Sequence, residues 1–159
     1  MKRNRKGAKR EEQTIQVWTY DQARGVLPYV ASIMRSLREA KLEAQQHDLI
    51  VKRLASKPGR PDRDTIIAQE EAAAALRRAD DSFQDSLEEL HTLDVFCLDA
   101  LEGQALIPFA QNEKLAWFVF NLFESDKLRF WRYHEDSLET RRPIDEAPAI
   151  SSGGDSLVI

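Results

Sequence analysis

The chain is cut by the stretch SKPGRPDRD at residues 56–64. Two prolines and a glycine within nine positions remove backbone donors and admit left-handed geometry, so no regular element passes through them. A long run of helical period lies on each side. Before the break, Ala23, Leu27, Val30, Met34, Leu37 and Ala44 fall on one face, and Val26 and Ile33 widen the stripe. After it, Ala72, Leu76, Ala79, Phe83, Leu87 and Leu90 step by three and four, and an aspartate in the break is placed to cap them. Two helices, over about 20–54 and 65–90, therefore fold back on each other as an antiparallel hairpin. The alanines at 72–75 let the two backbones approach closely.

The first helix has a readable start. Thr19-Tyr-Asp-Gln22 has the form of a capping box, in which hydroxyl and amide side chains satisfy each other's backbone donors. Pro28 lies inside the pattern and removes one helical bond. It predicts a kink, or a short helix 20–27 handing over to a longer one from 28.

Beyond residue 91 the period shortens. Val95–Leu98 and Ala105–Phe109 are short β-favouring runs, and 114–124 is aromatic and apolar. Gln111-Asn112 and Ser125-Asp126 read as turns. Residues 127–134 then alternate, with Leu128, Phe130 and Arg132 on one side and Arg129, Trp131 and Tyr133 on the other. The expectation is an α+β domain over 17–144: a long antiparallel helical hairpin packed on a three- to four-stranded antiparallel sheet spanning about 95–134. Residues 1–16 read as a disordered basic arm. The Pro/Gly/Ser-rich 145–159 reads as a flexible tail.

Charge is unevenly placed. The net is −4, yet Lys2, Arg3, Arg5, Lys6, Lys9 and Arg10 stand without an acid in the first ten positions, leaving 17 basic against 27 acidic residues elsewhere. Such an arm suits weak phosphate contact, as does the loop cluster Lys52, Arg53, Lys57, Arg60 and Arg63. No run reaches the roughly 18 apolar residues of a membrane span. No apolar stretch follows the basic start, so it does not read as a secretory signal. The lone Cys97 agrees with a reducing, cytoplasmic setting, and its apolar surroundings make it an inert thiol.

The order of signals resembles a bacterial family of unknown function, domain number 2203. TYDQARGVLPYV at 19–30 matches its opening helix, and Asp99, Gly103 and Pro108 keep its central spacing. Its aromatic strand ends here at Leu122-Phe123-Glu124, and Trp131 with Arg141-Arg142-Pro143 matches its close. The chain also departs from the pattern: Arg132 stands for a family histidine, Phe123 for a glycine, Leu106 for an acid, and Ser137–Thr140 for Gly-Phe-x-Gly. The resemblance brings no settled activity with it.

The candidate ligand-binding residues are Glu124, Trp131, Arg132, His134, Arg141 and Arg142. If Glu124, His134 and the two arginines converge in a pocket, anion binding follows, because paired arginines grip carboxylate or phosphate bidentately. If they spread along an edge, the pocket idea fails. The three histidines lie in separate elements and form no zinc motif; Glu124, His134 and Asp136 are a conceivable metal set if hairpin strands bring them together, but charged residues at strand ends are usually solvated. No nucleophile elbow or phosphate loop is present, and the paired helical carboxylates point apart. The sequence therefore points to a binding or scaffolding module with no catalysis and no cofactor of its own, joined to a protein partner or to its twin through edge strand 127–134. The alternatives are a nucleic-acid-associated protein using the arm, and an enzyme or metal protein at a degraded family site.

Overall fold

A computed structural model describes residues 14–144 and the backbone of 156–158. The elements in order are β1 (Thr14–Gln16), α1 (Tyr20–Ala55), α2 (Arg63–Thr92), β2 (Phe96–Asp99), β3 (Gln104–Gln111), β4 (Lys114–Asn121), β5 (Leu128–Tyr133), β6 (Arg142–Pro143) and β7 (Ser156–Val158). Strands β2 to β6 form one antiparallel sheet in sequential order, and the helical hairpin lies on it.

Local chemistry sets both helix starts. Thr19 Oγ1 accepts from the Gln22 N–H at 3.2 Å, and Gln22 Oε1 accepts from the Thr19 N–H at 3.0 Å, completing the box. Asp62 Oδ1 accepts from the Thr65 N–H at 2.8 Å, so α2 begins two residues before the expected start. It ends in a Schellman motif, with Asp94 N–H on His91 O and Val95 N–H on Leu90 O. Asp94 sits at φ 54°, a left-handed conformation that a short polar side chain tolerates. Pro28 does not divide α1, which runs unbroken from 20 to 55. The ring leaves Arg24 O without its helical donor, and tertiary packing on both sides of the proline carries the helix through.

The sheet is apolar on both faces, where one covered face was expected. The helix-side core joins Ala105, Ile107, Phe109, Phe118, Phe120 and Leu128 to Val30, Met34 and Leu37 of α1 and to Leu90 of α2. On the opposite face, Leu106, Trp117 and Val119 pack with Ile15. Strands buried on two faces read as continuous apolar runs, which is the character of ALIPF in β3 and LAWFVF in β4. The expected arm ended at residue 16 and the tail began at 145, but β1 instead pairs antiparallel with β7, Ile15 opposite Leu157. The remaining residues of both segments lie outside the described ones.

The buried positions of α1 all fall between Ala23 and Ala40. Beyond them Leu49 is 62% exposed, and Ile50, Ile66 and Ile67 are also exposed. The hairpin therefore outreaches the sheet that supports it.

Candidate functional site at the end of strand β5

The turn between β3 and β4 is built on Asn112 and Glu113, at φ 51° and 61°, one residue later than expected. Two left-handed residues in a row make the tight hairpin whose twist matches the strands. It brings Lys114 and Leu115 beside the far end of β5.

β5 departs from simple alternation. Val119 is opposite Phe130 while Phe120 is opposite Leu128, so Arg129 is an extra residue in a bulge. The bulge moves Leu128 to the helix side and leaves Phe130 on the other face with Trp117. This corrects the expectation that Leu128 and Phe130 share a side. Trp131 and Tyr133 stay together on the helix side, and Arg132 stands opposite Trp117.

β5 is also not an edge. The chain returns as β6, setting Pro143 opposite Phe130 and Arg142 opposite Trp131. The expected pairing of this strand with its twin is closed at those two positions.

The return builds a compact cluster. The Arg142 guanidinium lies 5.5 Å from the Trp131 ring centroid and 5.1 Å from that of Tyr133. It forks onto Asp136, Nε to Oδ2 at 2.9 Å and Nη2 to Oδ1 at 3.1 Å. Asp136 Oδ2 also accepts from the Tyr133 N–H at 2.9 Å. These donors, the Arg142 bond above all, hold the Asp136 carboxyl below the usual carboxylate range. Trp117 Nε1 donates to His134 Nδ1 at 3.1 Å, so that nitrogen presents its lone pair. His134, Tyr133, Asp136, Glu135, Lys114 and Leu115 line a cavity of about 280 Å³.

Arg132 is the unexpected member, only 4% exposed. Its Nη1 donates to Tyr133 O at 3.2 Å and Asp136 O at 3.3 Å, while its buried Nε has no partner. Burial first, then the charge of Arg141, lowers its basicity, and Asp136 offsets part of that. Arg141 Nη1 donates to Leu138 O at 2.7 Å and Thr140 O at 2.8 Å.

Glu124 does not join them. It sits beyond the opposite end of β5, with Arg129 Nη1 3.8 Å from its Oε2. Six strand residues, roughly 20 Å, separate it from His134. Trp131, Arg132, His134 and Arg142 thus share one end of the sheet with Asp136, and Arg141 lies in the loop that closes it. The metal set Glu124, His134 and Asp136 is not assembled, and among the described residues no group of three His, Cys, Asp or Glu is placed to hold a metal ion. Cys97 is half-buried, and burial raises its thiol pKa. Lys2, Arg3, Arg5, Lys6, Lys9 and Arg10 lie outside the described residues. Of the basic cluster expected in the hairpin loop, Lys52 and Arg53 lie in the last turn of α1 and Arg63 opens α2, and Lys52 pairs with Asp48 at 2.7 Å.

Sequence reading used Asp136 only as a metal ligand, yet Asp136 organises the cluster. The available signal was a turn-forming Asp three residues after Tyr133, whose N–H it accepts. A larger cavity, about 820 Å³, was missed altogether. It lies between residues 16–18, the first turns of α1 around Gly25, and residues 92–94.

A second arginine fork clips the other end of the β4–β5 hairpin to α1. Arg24 Nη1 and Nη2 reach Asp126 Oδ1 and Oδ2 at 2.7 and 3.1 Å, and Arg24 Nε donates to Tyr20 Oη at 2.8 Å. The Arg24 bond is the main cause holding the Asp126 carboxyl below its ordinary value. A carboxylate with a lowered folded-state pKa contributes fully above its unfolded value, near 3.9, and loses that contribution as pH falls through the folded value. Both side chains are over a third exposed, so screening limits the pair to about 1 kcal/mol. Urea denaturation at pH 6 and at stepwise lower values below 4 will show Asp126→Asn less stable than the parent at pH 6, with the gap closing in acid. A gap independent of pH would contradict the assignment.

Among the described residues no helix is long and apolar enough to cross a membrane. Searches of curated proteins and of solved structures return no match to the chain. The family described as an uncharacterized conserved protein (DUF2203) matches residues 16–144, and the chain belongs to that family.

Proposed function

We propose that this chain is a cytoplasmic binding or scaffolding module, without catalysis of its own, that presents the end of β5 to a protein partner. The observation supporting this is the Arg142 platform. An exposed guanidinium is held over Trp131 and Tyr133 and pinned by Asp136, so little side-chain freedom remains to be lost on docking. Arginine and large aromatics are the residues that dominate binding energy when a partner covers them. Groups already bonded to one another in this way suit a recognition surface better than a centre that must exchange protons.

The test is affinity capture from the source cell with the full chain as bait, under nuclease treatment. A partner held by the parent and lost by Arg142→Ala, with the variant's melting temperature little changed, supports the reading. Capture that is indifferent to Arg142→Ala overturns it. The alternative, a nucleic-acid-associated protein, draws on the six cations of the first ten residues. It gains if nuclease, and not the substitution, abolishes capture.

A further inference from the structure

We propose that the cleft between residues 16–18, the first turns of α1 and residues 92–94 is a second binding site, for a small organic amine with an apolar body. Its volume of about 820 Å³ lies within the roughly 300–1,000 Å³ of small-molecule sites. It shares no residue with the Arg142 platform, so it is additional to the partner surface described above. Gly25 marks the cleft as a site. It stands inside α1, where glycine weakens a helix relative to alanine because a freer backbone must be ordered. The fold gives it no compensating reason: its φ is not left-handed, and an added Cβ would meet no atom within 4 Å. Gly103, by contrast, is required on both counts. At Gly25 the missing side chain only leaves space, and that space lies on the wall of the cleft. A glycine so placed lets a ligand approach the helix backbone closely.

The walls are tied to each other and to the sheet. Trp18 Nε1 donates to Leu93 O at 3.0 Å, the Trp18 N–H to Pro108 O at 2.8 Å, and the Gln16 N–H to Asp94 Oδ2 at 3.0 Å. Val17, Trp18, Val26 and Leu93 are half-buried and give an apolar lining suited to a ring or a short hydrocarbon body. Asp94 is the one charged side chain among the described lining residues, and no described cation lies within 4 Å of it. It follows the C-terminal end of α2, whose partial charge is also negative. Two contributions of one sign meet there with nothing to offset them, so the complementary group is a cation. An ammonium bonds the carboxylate with charge assistance, and the apolar walls cover the body it carries. A calcium or magnesium ion would need more oxygen donors than one carboxylate and would leave those walls unused.

The experiment titrates the full chain with 2-phenylethylammonium chloride, 2-phenylethanol and sodium phenylacetate at equal ionic strength, following backbone amide shifts. The probes share an apolar body and differ in charge. Saturable shifts at residues 16–18, 22–26 and 92–94 are expected from the amine, with binding about tenfold weaker for the alcohol and none for phenylacetate. Asp94→Asn keeps an acceptor for the Gln16 N–H and tolerates the φ of 54°, so the turn is retained. It should weaken the amine about tenfold, to the level of the alcohol, the loss of one charge-assisted contact. Gly25→Leu should abolish binding of both, with a melting temperature no lower than the parent's, because it fills open space and strengthens the helix. Amine shifts no larger than those from ammonium chloride, equal affinity for the three probes, or binding unchanged by Gly25→Leu overturn the proposal. So does amine binding that emerges only with Lys9→Gln and Arg10→Gln, because the carboxylate would then serve the chain's own cations. Failure here leaves the capture experiment untouched, since that one reads Arg142 and needs no amine.

Discussion

Gly103→Ala will cost this fold about 2–4 kcal/mol, more than most single-methyl additions. Two independent penalties meet at one position. Gly103 lies at φ 68°, where a Cβ crowds the following carbonyl. The added Cβ would also stand 2.6 Å from Leu122 Cβ, a contact no rotamer change can relieve. The backbone itself must move, yet the Leu122 N–H is bonded to Gly103 O at 2.9 Å, so movement stretches the tie between the β2–β3 turn and the end of β4. For a chain of this size the melting temperature should fall by roughly 6–12 °C. Leu122→Ala should not rescue the variant, because the clashing atom is retained. A Gly103→Ala protein as stable as the parent would mean that the close approach is not present in solution.

Trp131→Ala is the second large loss expected, about 3–5 kcal/mol. The indole is 4% exposed, meets the Phe109 ring edge-on at 5.7 Å and the Tyr133 ring at 4.9 Å, and carries the Arg142 guanidinium on its outer side. Truncation removes core volume and the floor of the recognition platform together. Trp131→Phe is the informative companion. The buried indole N–H has no hydrogen-bond partner, so phenylalanine forfeits no bond and should cost less than about 1.5 kcal/mol. Equilibrium denaturation of both variants checks the pair. Equal, large losses would show that the indole nitrogen does find a partner.

What the sequence made legible was local. The Thr19–Gln22 box, the proline-glycine break after Ser56 and the 3–4 spacing of both helices depend on neighbours within a turn, and each forms as read. Pro28 does not split the first helix in two, because tertiary packing, which intrinsic propensity cannot weigh, carries α1 through it. The sheet was half-read: LAWFVF was recognised as strand, but an unbroken apolar run means two buried faces. The bulge at Arg129 has no signature in a period of two, because it depends on where β4 stops pairing. The site was misread for a similar reason. Sequence proximity grouped Arg141 with Arg142, whereas the return of β6 gives Arg142 to Asp136, and Arg132 is buried.

The length of α1 has a mechanical consequence. At 1.5 Å per residue its 36 residues extend about 54 Å, whereas an eight-residue strand of the sheet covers about 27 Å. One continuous helix therefore lives under two regimes. Up to Ala40 it is a foundation, locked by the same core as the strands and able to open only when the domain does. Past that point it is a cantilever, braced among the described residues mainly by α2, with backbone bonds close to water. A load or ligand at the tip near Gly59 would bend the outer half without disturbing the turn where Arg132 and Arg142 gather. The two ends of the molecule can thus act without hearing each other.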